Sequence, residues 1–179
     1  MKKFLLSFWD TFKIVFIAVA VVFLIRTYVA QPFLVSGLSM QPTFYDGDYL
    51  LVDEASYNFR DPERGEVIVF KYPGDHRSYY IKRIIGLPGE RVTVENGRVV
   101  VHNTNGDKVL NEPYIAQQDF SGKYETKLQD NQYFMMGDNR NYSYDSRMWG
   151  PLDRSDIAGI VRFRLWPVNT AMAFSPPLY

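Results

Sequence analysis

Val92-Thr93-Val94 and Val99-Val100-Val101 flank Asn96-Gly97, and this short stretch constrains the fold more than any other. An Asn-Gly pair between two β-branched runs favours a two-residue turn whose central residues take positive φ, so it predicts a tight antiparallel hairpin. The same grammar recurs along the chain. Pro32 to Val35 reads as extended, and Tyr49 to Val52 and Glu66 to Tyr72 are β-rich runs bounded by Asp46-Gly47-Asp48, Arg64-Gly65 and Pro73-Gly74. Tyr79 to Ile85 is a further strand, closed by Leu87-Pro88-Gly89-Glu90, a sequence suited to a type II turn. Strand character returns at Gln132 to Met136 and Ile160 to Trp166, whereas residues 102–130 are polar and weakly patterned and read as an excursion from the main sheet. The expectation is a mainly β fold of mixed, largely antiparallel sheets or a barrel, forming one domain over residues 31–179.

Residues 1–30 follow a different rule. Ile14 to Ile25 is apolar without interruption, between Lys13 and Arg26. Twelve helical residues reach only about 18 Å, short of the roughly 30 Å hydrocarbon layer. The flanks lengthen the stretch, since Lys13 and Arg26 can snorkel and Phe4, Phe8, Trp9, Phe12 and Tyr28 add apolar surface. A helix of about 26 residues from Phe4 to Val29 would span. A cleavable signal fits poorly, because Tyr28 stands three places before the candidate cut after Ala30. The expectation is therefore one N-terminal transmembrane helix in a single-pass protein of the cell membrane. With Lys2, Lys3 and Lys13 before the span, the N-terminus stays cytoplasmic and the β domain lies on the extracytoplasmic side, which makes the lipid bilayer a partner.

Composition closes several alternatives. With 46% hydrophobic and 16% aromatic residues in 179, there is ample material for one core. Residues 1–30 carry a charge of +3 and the remainder −3, so the β domain has no basic surplus for nucleic acid. Cysteine is absent and the two histidines are scattered, which argues against a metal site. No glycine-rich phosphate loop is present, and no cofactor is expected.

Three stretches carry chemistry. Val35 to Thr43 is a small-residue turn in which Gly37 and Pro42 shape the backbone around Ser39. A serine hydroxyl needs a base to become a nucleophile, and His76 and His102 both sit in polar, turn-like surroundings. Lysine is the better candidate. Strand alternation puts Lys82 with Tyr80 and Ile84 on one face, where burial would disfavour the ammonium and lower its pKa. A lysine snorkelling from an edge strand is the plainer reading of that strand taken alone. The third stretch, Gly137 to Gly150, packs acids, amides, hydroxyls and arginines into one loop.

Ser-Gly-x-Ser-Met-x-Pro-Thr, Tyr-Ile-Lys-Arg-Ile-Ile-Gly-Leu-Pro-Gly and Gly-Asp-Asn-Arg-x-x-Ser-x-Asp-Ser-Arg-x-x-Gly resemble, in order, the motif boxes of bacterial type I signal peptidases. The resemblance implies a membrane-bound endopeptidase that removes signal peptides from secreted preproteins after small residues, at sites of the Ala-x-Ala type. Ser39 matches its nucleophile and Lys82 its general base. Ser143 matches the serine that holds the lysine amine, and Asp145 and Arg147 an ion pair bracing the loop. Phe33, Val35, Phe44, Tyr80 and Ile81 match residues around shallow substrate pockets, although each fits equally well in a core. The partners implied are preproteins, with the protein translocation machinery a further one the resemblance admits. One departure stands out. In many family members a serine two places before the nucleophile donates its hydroxyl to the oxyanion, and here that place is Gly37. The Ser39 amide remains as one donor, and the second is open between a backbone amide and the Ser36 hydroxyl.

Two other readings use the same features. A serine/lysine autopeptidase joined to a DNA-binding regulator would need a helix-turn-helix module before the β domain. A membrane-anchored module that only binds extended peptides would keep the strands without needing both Ser39 and Lys82.

Overall fold

The computed structural model describes residues 9, 11–20, 22, 30–115 and 122–177. Among the described residues twelve strands form two sheets: β1 (Ala30–Leu34), β2 (Tyr49–Asp53), β3 (Val67–Tyr72), β4 (Asp75–Gly86), β5 (Arg91–Glu95), β6 (Arg98–Asn103), β7 (Gly106–Val109), β8 (Lys123–Lys127), β9 (Gln132–Met136), β10 (Leu152–Asp153), β11 (Ile157–Trp166) and β12 (Met172–Ala173). The larger sheet runs β1-β2-β11-β3-β4-β9-β10, with β12 beside β11, and the smaller runs β7-β6-β5-β8. Every strand pairing described is antiparallel.

The turns fall where their residues demand. Asn96 and Gly97 have φ of 51° and 75°, the paired positive angles of a hairpin turn, and join β5 to β6. At Leu87 to Glu90 the Glu90 amide donates to Leu87 O (3.2 Å) and Gly89 has φ of 79°, as a type II turn requires. This turn passes the chain from the larger sheet to the smaller. Alternation then builds the core between them: Val92, Val94, Val99 and Val101 point inward from the hairpin onto Ile85, Phe134 and Met136. A second cluster holds Ile68, Phe70, Ile84 and Met135, and a third holds Val35, Met40, Phe44, Leu50, Val67 and Val69.

The N-terminal expectation is corrected. Among the described residues no helix is long and apolar enough to cross a membrane. Residues 9, 11–20 and 22 are helical, and the continuous part, 11–20, rises only about 15 Å, half a hydrocarbon layer. The rest of the span expected from Phe4 to Val29 lies outside the described residues. The single-pass topology, the cytoplasmic N-terminus and the cell-membrane location were all built on that helix, and they fall with it.

Candidate active site

The turn bearing Ser39 leaves β1 and is tied at both ends. The Val35 amide donates to Asp48 O (2.9 Å) and the Gly47 amide to Val35 O (3.0 Å), which closes residues 35–48 into a loop. Gly37, at φ of 98°, takes a left-handed conformation that a side chain disfavours, and its amide donates to the Asp46 carboxylate (2.7 Å). Met40 and Phe44 are fully buried beneath the turn and anchor it to the third cluster. Ser39 is left on the upper side.

Lys82 reaches it from β4. Its Nζ stands 2.8 Å from Ser39 Oγ and donates to Ile81 O at 2.9 Å. The side chain is only 4% exposed, and burial pulls its pKa down from 10.5 to about 8 against the opposing pull of Asp145 and Asp138. The direction follows from physics: an ammonium stripped of water loses more solvation than two carboxylates without direct contact restore. In the charged form Nζ donates to the hydroxyl, and in the neutral form its lone pair can accept the hydroxyl proton.

The third stretch forms a frame around this pair. Asp145 is fully buried and meets Arg147 through both oxygens (2.8 and 2.9 Å), while its Oδ2 also accepts from the Gly137 amide (3.1 Å). Arg147 in turn donates to Arg140 O at 2.7 Å, so the ion pair closes the loop on itself. Ser143 Oγ is buried, but among the described residues it has no hydrogen-bond partner, and the Lys82 amine instead bonds Ser39 Oγ and Ile81 O.

Sequence reasoning placed Asp138 and Arg140 in the third stretch as structural residues but did not foresee the contacts that join the three stretches. Arg83, next to Lys82 but on the opposite face, makes a two-pronged contact with Asp138 (2.8 and 2.6 Å), and Thr43 donates to the same carboxylate. The strand thus presents Lys82 to Ser39 from one face and ties down the loop from the other. Arg140 pairs with Glu112, both buried. An arginine alternating onto an apolar face was a readable signal that a carboxylate had to meet it. For Glu112, 28 residues from its partner in the weakly patterned region, no local signal existed. Because Asp138 and Arg83 are 1% and 4% exposed, Asp138→Ala is expected to lower unfolding free energy by about 3–5 kcal/mol, as measured by urea denaturation. A loss below 1 kcal/mol would mean that the pair adds little to the fold.

A cleft of about 460 Å³ opens over Ser39 and Lys82. Four of the five expected pocket residues line it: Phe33, Val35, Tyr80 and Ile81. The fifth, Phe44, is not among the lining residues. Phe44 is fully buried, with its ring 4.4 Å from that of Phe174, because it serves as the apolar foot of the Ser39 turn. Two further features shape the cleft. The larger sheet curls until Phe33 of β1 meets Tyr79 of β4, with ring centroids 5.4 Å apart. β9 pairs with β4 only from Arg83 onward, so along 79–82, among the described residues, β4 is hydrogen-bonded to β3 on one side alone.

Known proteins are similar to this chain over most of its length. A "Probable signal peptidase I-2" of Synechocystis sp. is 45% identical over 150 residues, which span 80% of this chain and 66% of that protein. A "Signal peptidase I" of Leptolyngbya laminosa is 41% identical over 86% of this chain and 77% of its own length, and one of Bacillus amyloliquefaciens is 36% identical over 89% of each. A crystal structure of a signal peptidase I from Enterococcus faecalis V583 superposes with a TM-score of 0.49 at 27% identity, covering 56% of this chain and 97% of the other. The family model described as "Signal peptidase, peptidase S26" matches residues 8–166, all three chemistry-bearing stretches included, and the chain belongs to that family.

Proposed function

We propose that Ser39 and Lys82 are the nucleophile and general base with which this chain, as a member of peptidase S26, cleaves signal peptides from secreted preproteins. The family makes it a serine endopeptidase, and one observation carries the residue assignment: a buried amine with its pKa lowered to about 8 stands 2.8 Å from a serine hydroxyl on the floor of the cleft. A module that only bound peptides would have no use for that contact.

The neutral Lys82 amine takes the proton of Ser39 Oγ as the oxygen attacks the scissile carbonyl, and the carbonyl electrons move onto oxygen. Lys82, now charged, returns the proton to the leaving amine as the peptide bond breaks, which leaves an acyl-serine and a neutral lysine. Water then attacks the ester, again passing a proton to Lys82, and the cycle ends with Ser39 protonated. The Ser39 amide supplies one oxyanion donor. The Gly37 amide already serves Asp46, so it is not the second; Ser36, which lines the cleft, keeps its hydroxyl available. Phe33, Val35, Tyr80 and Ile81 bound the space for substrate side chains, and the family resemblance puts small residues one and three places before the cut. The one-sided stretch 79–82 of β4 offers main-chain groups to an extended substrate. All the groups of this mechanism lie within residues 31–179, which we take as the catalytic domain.

The test is the pH dependence of kcat/KM on a soluble preprotein peptide. A protonated lysine cannot act as base, so the rate should rise about tenfold per pH unit below the amine pKa and level off above about 8. A profile flat between pH 6 and pH 9, with chemistry limiting, would remove Lys82 from this role.

A further inference from the structure

Asn139 sits in the frame loop but reaches the turn bearing Ser39 twice. Its backbone N–H donates to Ser39 O (3.0 Å), and its side-chain amide nitrogen donates to Leu38 O (3.1 Å). Leu38 O and Ser39 N–H belong to one planar trans peptide, so they point in opposite directions. Fixing the carbonyl on Asn139 therefore fixes the amide on the far edge of the same plane. Among the described residues nothing accepts from that amide, although the neighbouring Gly37 N–H is held by Asp46 and the Gln41 N–H by Leu38 O. A hydrogen bond to a peptide carbonyl also polarises its N–H, which strengthens the donor.

We propose that Asn139 is a positioning residue for the oxyanion: its side chain aims and polarises the Ser39 amide, and its effect is confined to the transition state. The inference rests on the reading of Ser39 as nucleophile. Only a donor can face Leu38 O, so the amide nitrogen is required there and a carboxylate of the same shape would repel the carbonyl. The backbone bond from residue 139 to Ser39 O survives any side-chain change, which separates aiming the peptide from building the turn. Neither Ser39 Oγ nor Lys82 Nζ contacts Asn139, so the base keeps its environment.

The experiment compares Asn139→Ala and Asn139→Asp with the unaltered protein in four readouts. They are kcat and KM on a soluble preprotein peptide, the pH profile, thermal stability, and affinity for two peptides that end at the cleavage site, one in an aldehyde and one in a plain amide. The aldehyde adds Ser39 Oγ to its carbonyl carbon, and the new oxygen, which gains the serine proton by way of Lys82, occupies the oxyanion position. The amide binds without that bond. Both variants should lower kcat about tenfold or more, with KM within about twofold and the inflection near pH 8 unmoved. Aldehyde affinity should fall by the same factor and amide affinity should not change. Unchanged kcat, or equal losses for aldehyde and amide, would overturn the proposal, as would loss of the folded state in both variants. If the unaltered protein itself binds the aldehyde no tighter than the amide, the reading of Ser39 fails first.

Discussion

Replacing Lys82 with methionine is expected to abolish cleavage and, in the same molecule, to raise stability at neutral pH. Under the proposed assignment kcat falls by about 10⁴ or more, since nucleophile and base act as one unit. The stability gain follows from the shifted pKa. The amine titrates near 8 in the folded chain and near 10.5 when unfolded, so below pH 8 the fold holds a charge that water would hold more favourably. That difference is worth about 3 kcal/mol, at about 1.4 kcal/mol per pKa unit. Between pH 8 and pH 10.5 the folded state sheds its proton while the unfolded chain retains it, so the penalty shrinks as pH rises and vanishes above the unfolded value. Methionine fills a similar volume and carries no charge. Urea denaturation at pH 7 and pH 10 should therefore show the variant ahead at pH 7 and the gap closing at pH 10. A variant less stable than the parent at pH 7 would show that the site solvates the ammonium well, and the lowered pKa would go with it.

The same lysine shows what a sequence can and cannot disclose. Alternation along 79–85 placed Lys82 on one face with Tyr80 and Ile84, and the structure buries it there, although the strand taken alone favoured a lysine snorkelling to water, because both faces of 82–86 are covered. The turns at Asn96-Gly97 and Gly89 were equally legible, since positive φ restricts the residues that can hold it. Legibility failed where burial is one-sided or partners are distant. All four residues of β7 are exposed, so the strand has no alternation to read, and only its pairing with β6 defines it. Phe44 follows the Ser39 turn just as a pocket residue would, and nothing local separates the floor of a cleft from the core beneath it. The N-terminal reading added flanking aromatics to an apolar run of twelve to reach spanning length, and no described helix has that length. Arg83 and Arg140 were visible as charges in motif boxes. Their partners Asp138 and Glu112 lie 55 and 28 residues away, and only the fold could introduce them.

Gly137→Ala is expected to reduce kcat by about a hundredfold or more by contact alone. An added Cβ would lie 2.3 Å from Ser143 Oγ and 2.4 Å from Ser39 O, closer than real Cβ atoms approach other atoms. Ser39 O is a backbone atom held by the Asn139 amide, so it cannot turn aside as a flexible side chain would. Either the Ser39 turn or the frame loop has to move, and under the proposed assignment a misplacement of about 1 Å at a reacting group costs on the order of 10² in rate. Overpacking of this kind also lowers stability by about 1–3 kcal/mol. Gly37→Ala is the control. Its Cβ would meet nothing within 4 Å, but its φ of 98° strains any side chain, so it should lose about 1–2 kcal/mol of stability with no atom pushed into the site. The double change Gly137→Ala with Ser143→Ala then identifies the obstacle. Partial recovery of kcat would assign part of the clash to the Ser143 hydroxyl, whereas none would leave it with Ser39 O and with Ser143 Cβ, which would lie 2.6 Å from the new methyl and which alanine retains. A Gly137→Ala variant with unaltered kcat would mean that the loop yields freely, and that the close packing of Gly137 against the turn is not what holds Ser39 opposite Lys82.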